Sequence, residues 1–352
     1  MNDIRHLLGT ELPVIQAPMA GVQGHALAVA VCQAGGLGSL PCAMLTPAAM
    51  HAELGALAAQ TDRPYNVNFF CHAPPQPDPA RQAAWLAALA PCYDALGLVP
   101  PAAAAGPGRV PFSAEALQVL QTFRPPVVSF HFGLPGPALL APIKGWGATV
   151  LASATTVAEA LWLADHGADA VIAQGLEAGG HRGHFLGNGL GDDLSEQMGT
   201  LALVPQVVQA LGGRLPVIAA GGIADAAGVA AAKALGAAGV QVGTAYLLCP
   251  EATTSAVHRA ALQSEAARHT TLTRLFTGRP ARGIVNRFIR ELGPMNPAAP
   301  AFPLAAAAVA PLRERAEAQG SGDYSPLWAG QNASGCRAAP AGEITRALAA
   351  GW

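Results

Sequence analysis

Eight short apolar runs alternate with Ala/Leu-rich stretches of helical length, and this rhythm constrains the fold more than any other feature of the chain. The runs are 13–18, 37–42, 65–70, 127–132, 149–154, 170–175, 216–222 and 239–248, each bounded by Gly or Pro. Strands of a parallel sheet covered on both faces read as continuous apolar runs of this kind, because neither face meets water. Between them, 25–33, 47–59, 157–166, 201–211 and 226–235 are predicted helices. Thr156 and Glu159 stand at capping-box spacing ahead of one of these, and Gly167 ends it. The short return from Gly167 to the next strand fits an αβ loop. Strand followed by helix, eight times over, predicts an α/β chain built as a (β/α)8 TIM barrel. A doubly wound open sheet is the competing architecture and normally carries G-x-G-x-x-G after its first strand. Here that position reads Gln16-Ala17-Pro18-Met19-Ala20-Gly21-Val22, which lacks the spacing.

At 352 residues the chain is long enough for one barrel and an insertion. Two stretches break the rhythm. Residues 71–126 form a Pro/Ala-rich connection holding one or two helices, with Pro100-Pro101 and Gly106-Pro107-Gly108 inside it. Residues 250–320 lack strand patterning, and 252–269, 270–275 and 303–319 read as helices. The expected division is a barrel from 1–249 and 321–352, with a smaller helical substrate-binding domain at 250–320. The tail from Tyr324 is expected to return over the barrel.

Composition excludes several partners. Net charge is −2, with charges scattered, which argues against nucleic acid or an anionic membrane. Mean hydropathy is +0.32, yet no run of about 18 apolar residues survives the Gly and Pro content, so no membrane span is expected. Six cysteines without a C-x-x-C suit reduced thiols, and residues 1–12 carry charges rather than a signal-peptide core. A cytoplasmic monomer or homodimer is therefore expected. His181-x-x-His184 is the single metal-like spacing, and with no carboxylate nearby no metal is expected.

The decapeptide Gln174-Gly175-Leu176-Glu177-Ala178-Gly179-Gly180-His181-Arg182-Gly183 carries the strongest chemical signal. A strand end leads into a loop bare of Cβ atoms, then into an imidazole whose charge is undecided near neutral pH. A Gly-rich turn with a solvated His is the plain alternative. In barrels, phosphate commonly binds the loops after the seventh and eighth strands. Those loops here are Gly221-Gly222 and Gln241-Val242-Gly243-Thr244, which offer amides and a hydroxyl. Asp225 stands where it can cap the following helix. A flavin mononucleotide (FMN) anchored there would lay its ring over the strand ends, and Asn68 and Gln174 are candidate amide partners. Each alone is more often a satisfied buried amide, but together at strand ends they favour the ligand.

With those residues assembled, the chain resembles the flavin-dependent nitronate monooxygenases, formerly 2-nitropropane dioxygenases. The likeness runs through Pro13–Val22, Ala34-Gly35-Gly36-Leu37-Gly38, Asn68, Val128–Gly133, Gln174–Gly183, Pro216–Ile223, Gln241–Thr244 and Leu327–Gln331. The resemblance implies FMN held by Met19, Asn68, Gln174, Gly179, Gly180, Gly221, Gly222, Gln241, Val242, Gly243 and Thr244. It implies His181 as the catalytic histidine, with His131 beside it at the end of strand four. The implied reaction is oxidation of alkyl nitronates, with nitroalkanes as a wider class, by O2 to a carbonyl compound and nitrite. His181 acts there either as a base or as an electrostatic stabiliser. One departure stands out: 303–310 is nearly all apolar where the bacterial subgroup presents Tyr and Lys, with Phe302 the nearby aromatic. Tyr246 and Arg182 are candidates to replace the missing support. The rival enzyme is an FMN-dependent NAD(P)H reductase of enoyl thioesters or quinones, its nucleotide anchored by Arg279, Arg282 and Arg287. An inosine-monophosphate-type dehydrogenase needs a nucleophilic Cys between Gln174 and Thr200, and none is present. A non-catalytic flavin carrier is the remaining option.

Overall fold

The computed structural model describes residues 3–101, 109–187 and 194–352; Gly106-Pro107-Gly108 lies outside them. Eight parallel strands form one sheet: β1 (Val14–Gln16), β2 (Gly38–Pro41), β3 (Tyr65–Phe70), β4 (Val127–His131), β5 (Thr149–Ala154), β6 (Ala170–Gln174), β7 (Val217–Ala220) and β8 (Gly239–Val242). β1 pairs with β8, and a parallel bridge from Ile15 to Leu37 joins it to the edge of β2, so the sheet closes into the expected barrel. Ile15, Leu37, Val127, Leu151, Ile172 and Ile218 fill its lumen with Ile4 and Leu8 of the first helix. The helix Ile4–Leu8 thus joins the barrel's inner core at its strand-start end.

Helices form where periodicity placed them, at His25–Gln33, Pro47–Ala58, Val157–Asp165, Thr200–Leu211 and Ala226–Ala234. Thr156 caps by accepting from the Glu159 amide, and Asp225 accepts from the Gly228 amide at 2.8 Å. Glu159 does not close the capping box onto Thr156. Its buried carboxylate accepts from the Thr155 amide and hydroxyl and from the amides of Phe185 and Leu186.

One expectation is corrected by strand pairing. Residues 270–275 are not a helix. Thr270–Thr273 is a strand, antiparallel to Ala281–Ile284, which pairs in turn with Gly180–His181. The β-branched threonines favour this extended form. The 71–126 connection does more than connect: its helix Pro79–Ala95 buries Trp85, Leu89 and Tyr93 against Phe276, Phe288, Ala305, Ala308 and Leu312. Tyr93 Oη donates to the Ala308 carbonyl at 2.7 Å. This second core therefore joins 79–98 to 275–324. Among the described residues, no helix is long and apolar enough to cross a membrane.

Candidate functional site

The strand C-termini open into one cleft enclosing about 1360 Å³ of atom-free space, its solvent mouth included. All thirteen residues singled out for chemistry line it. Gly221, Gly222, Gln241, Val242, Gly243 and Thr244 lie on the β7–β8 side. Met19 follows β1, while Asn68 and His131 sit on β3 and β4. Gln174, Gly179, Gly180 and His181 come from β6 and its loop.

The β6 loop owes its shape to groups the cleft never sees. Glu177 accepts from the Thr200 amide and hydroxyl, at 2.8 and 2.9 Å, which holds the loop to the start of helix Thr200–Leu211. Thr200 Oγ1 also lies 2.9 Å from the Gly221 carbonyl, so one hydroxyl touches both Gly-bearing loops. Arg182 is fully buried and donates to the carbonyls of Gly175 and Gln174 and to Gln197 Oε1. Burial lowers it to about 10, and it stays charged at neutral pH. It is a clamp behind the loop, not a group in the cleft. Tyr246 is likewise fully buried, its hydroxyl 2.9 Å from Thr345 Oγ1. Neither replaces the support missing at 303–310.

His181 sits on the strand edge formed with Ala281–Ile284, a strand whose Gly283 also bridges Trp328. One segment thus sets both the imidazole and the indole, whose ring centres are 5.7 Å apart. His181 Nε2 is 2.9 Å from Thr277 Oγ1. Its carbonyl accepts from Gln174 Nε2 at 3.0 Å and from His131 Nε2 at 3.2 Å. A carbonyl can only accept, so His131 carries its proton on Nε2. Gln174 Oε1 accepts from the Gly183 amide, so this amide secures the loop as well as lining the cleft. Asn68 Nδ2 donates to Ser129 Oγ at 2.9 Å.

The imidazoles lie among Phe70, Phe132 and Phe302, with ring centres of the group 4.5–6.2 Å apart. Phe132 holds a φ of 70°, a left-handed conformation that strains a bulky residue by order 1 kcal/mol. Burial and then Arg109 push His181 well below the usual histidine range. Burial likewise takes His131 to about 3 and His72 to about 4. All three are neutral at pH 7. Among the described residues no Asp or Glu lines the cleft, and its single Lys or Arg is Arg109. Arg109 was missed in the sequence because nothing local to it signals a site.

Two features fit a flavin nucleotide. A Cβ on Gly179 would stand 2.6 Å from the Gly330 amide nitrogen, and one on Gly221, at φ 116°, 2.9 Å from Thr200 Oγ1. Only bare backbone can form this wall. Gln241 Oε1 is buried near the end of β8 with no partner among the described residues, an acceptor left for a donor from outside them. No cluster of three or more His, Cys, Asp or Glu among the described residues is arranged for a metal.

A family model described as nitronate monooxygenase matches residues 2–351. A nitronate monooxygenase of Paraburkholderia phytofirmans is 44% identical over 346 residues, which cover 97% of this chain and 92% of that protein. Among solved structures, the nitroalkane oxidase of Streptomyces ansochromogenes aligns with a TM-score of 0.89 and 40% identity, covering 99% of this chain and 97% of its own. FabK from Thermotoga maritima aligns at 0.73 and 28%, covering 98% and 94%.

Proposed function

From a chain that belongs to the nitronate monooxygenase family, we propose an FMN-dependent oxidation of alkyl nitronates by O2 to a carbonyl compound and nitrite. The observation that carries this reading is the single cleft at the barrel mouth, where Gly-walled β6, β7 and β8 loops face a buried imidazole cluster. When bound, the flavin would supply the redox chemistry between substrate and O2. The Gly221-Gly222 and Gln241–Thr244 loops hold the phosphate, with amides and the Thr244 hydroxyl as donors. Met19, Asn68, Gln174, Gly179 and Gly180 seat the ring. His181 stands over the reacting centre as a neutral imidazole, fixed through Thr277 and through its own carbonyl. Because burial makes its imidazolium a strong acid, the neutral ring is a poor base for an α-proton, which favours preformed nitronate and an orienting, polar role. The aromatic wall excludes water from that centre. Residues 250–320, joined by the 79–98 helix segment, form the substrate side.

The reductase reading loses its anchor. Arg279 lies over the Phe132 ring at 4.0 Å and donates to the carbonyls of Arg182 and His184. Arg282 donates to the Leu176 carbonyl, and Arg287 pairs with Glu291 at the surface. None of the three lines the cleft. Flavin-loaded protein mixed anaerobically with an alkyl nitronate should bleach, and nitrite should appear once O2 is admitted. Fast bleaching by NADPH or NADH, with none by nitronate, would make the protein a reductase.

A further inference from the structure

We propose that Arg109 is the anion anchor of the cleft, the residue that selects a negatively charged nitronate over its neutral nitroalkane. The inference rests on the nitronate reading and adds the group that recognises the substrate's charge. Among the described residues, Arg109 is the one Lys or Arg lining the cleft, and no carboxylate lines it. Its guanidinium has no hydrogen bond or ion pair among the described residues and lies 5.7 Å over the Phe302 ring. An arginine that builds structure looks different here. Arg182, Arg259, Arg279 and Arg282 each donate to backbone carbonyls. Arg109 alone on this wall keeps its donors unspent beside the histidines.

Its position separates it from the phosphate end. The His72 ring bonds to the Arg109 carbonyl at 3.0 Å, and the Phe112 amide to the Phe70 carbonyl. The segment therefore lies over the end of β3, and in the closed circle of eight strands β3 stands opposite β7, whose loop carries Gly221 and Gly222. Phe302 lies under Arg109 and 5.3 Å from the His181 ring, so cation and imidazole share one aromatic floor. The neighbouring imidazoles are His72, His131 and His181, and Arg313 is a further cation whose charge acts on Arg109. Burial keeps all three imidazoles neutral, so none competes for a substrate anion or adds a second charge. Burial also lowers Arg109, to about 10, which leaves it cationic through the working range. A planar guanidinium presents two parallel N–H groups, and the two oxygens of a nitronate match them as a carboxylate does. This cation takes the place of the support absent from 303–310, and it comes from a different part of the chain.

The test uses flavin-loaded wild type, R109K and R109Q, with nitrate as a planar, unreactive oxyanion. Nitrate binding is read from the flavin difference spectrum; nitronate KM and the inhibition constant of the matching neutral nitroalkane are read at pH 6. R109Q should weaken nitrate and raise nitronate KM by about 10- to 100-fold, with the nitroalkane constant moving less than about 3-fold. R109K should recover part of both, since it keeps the charge and loses the fork. Nitrate bound equally by wild type and R109Q overturns the proposal, as does equal loss toward nitronate and nitroalkane. A wild type that binds nitrate but oxidises no nitronate refutes the oxidation reading, and the nitrate titration of R109Q then still decides the anchor.

Discussion

Replacing Gly179 with Ala tests whether bare backbone makes the flavin wall. The added Cβ would sit 2.6 Å from the Gly330 nitrogen and 2.7 Å from the Ala329 carbonyl carbon, where ordinary contact begins at 3.4 Å. Those atoms cannot swing aside as a side-chain tip can. Gly330 donates to Thr244 Oγ1 at 2.9 Å, and the adjacent Gln331 amide donates to the Glu177 carbonyl at 2.9 Å. Overpacking of this kind costs about 1–3 kcal/mol. With an unfolding entropy of about 2.1 cal/mol/K per residue, that lowers Tm by roughly 1–4 °C. The larger effect falls on the cofactor. The displaced Gly330 amide drags the Thr244 hydroxyl out of the phosphate loop, and losing one such bond is worth about 1 kcal/mol. Together with the shifted wall, FMN should bind about 10-fold more weakly. Gly147→Ala is the control: Gly147 lies outside the cleft with a φ of 86°, and its Cβ would meet no atom within 4 Å. It should cost about 1 kcal/mol of backbone strain and leave FMN affinity within about 3-fold. Fluorescence titration of apoprotein with FMN, beside thermal melts, reads both quantities. Unchanged affinity in G179A, or an equal loss in G147A, refutes the reasoning.

Further outcomes follow from the same geometry. His72 and His131 have folded values of about 4 and 3, below the ordinary histidine value of 6.5, so the unfolded chain takes up their protons first as pH falls. Stability should be flat above pH 6.5 and decline from there toward pH 4, and His72→Gln should make that decline shallower, the other buried histidines carrying the rest. Arg182→Met strands three acceptors in the core and should cost about 2–4 kcal/mol by denaturant melt; a selective rise in nitronate KM at unchanged stability would return Arg182 to the substrate. Thr200→Val removes the hydroxyl between Glu177 and Gly221, so flavin affinity should drop about 3- to 10-fold by titration while Tm moves by only a few degrees.

The barrel was legible because its signals are local. Each strand is a continuous apolar run, and caps such as Thr156 and Asp225 sit within three residues of the amides they satisfy. The Gly-bearing loops and His181 were legible for the same reason, since a strand end and its loop are contiguous. What failed to show depends on partners far away in sequence. Trp85 Nε1 donates to the Ala305 carbonyl across 220 residues, and no periodicity in 79–95 announces that pairing. Thr270–Thr273 carries β-branched residues that signal a strand, but its partner at 281–284 lies beyond a turn, and the helical reading of the flanks carried over it. Arg109 follows no apolar run and belongs to no motif, so its place beside His181 emerges only once β3 and Phe302 are in position.

The Gln174–Gly183 signature is therefore mostly architecture. Glu177 ties the loop to the Thr200 amide, Gly179 fits against Ala329 and Gly330, and Arg182 clamps two carbonyls from behind. Within the decapeptide, the chemical face is left to His181, held by Thr277 and presented by the 281–284 strand. A signature of this kind fixes where an imidazole stands and says little of what stands opposite it. That opposite wall comes from Arg109 and Phe302, on segments outside the motif and under different packing constraints. Charge recognition can change there without disturbing the flavin cradle, because the two surfaces share no hydrogen bond among the described residues. Exchanging Arg109 should thus move substrate preference at constant FMN affinity, whereas changes at Gly179 or Thr200 should move FMN affinity for every substrate alike. Measuring both quantities in the same variants separates the two walls, and a coupled loss in R109Q would show that they act as one.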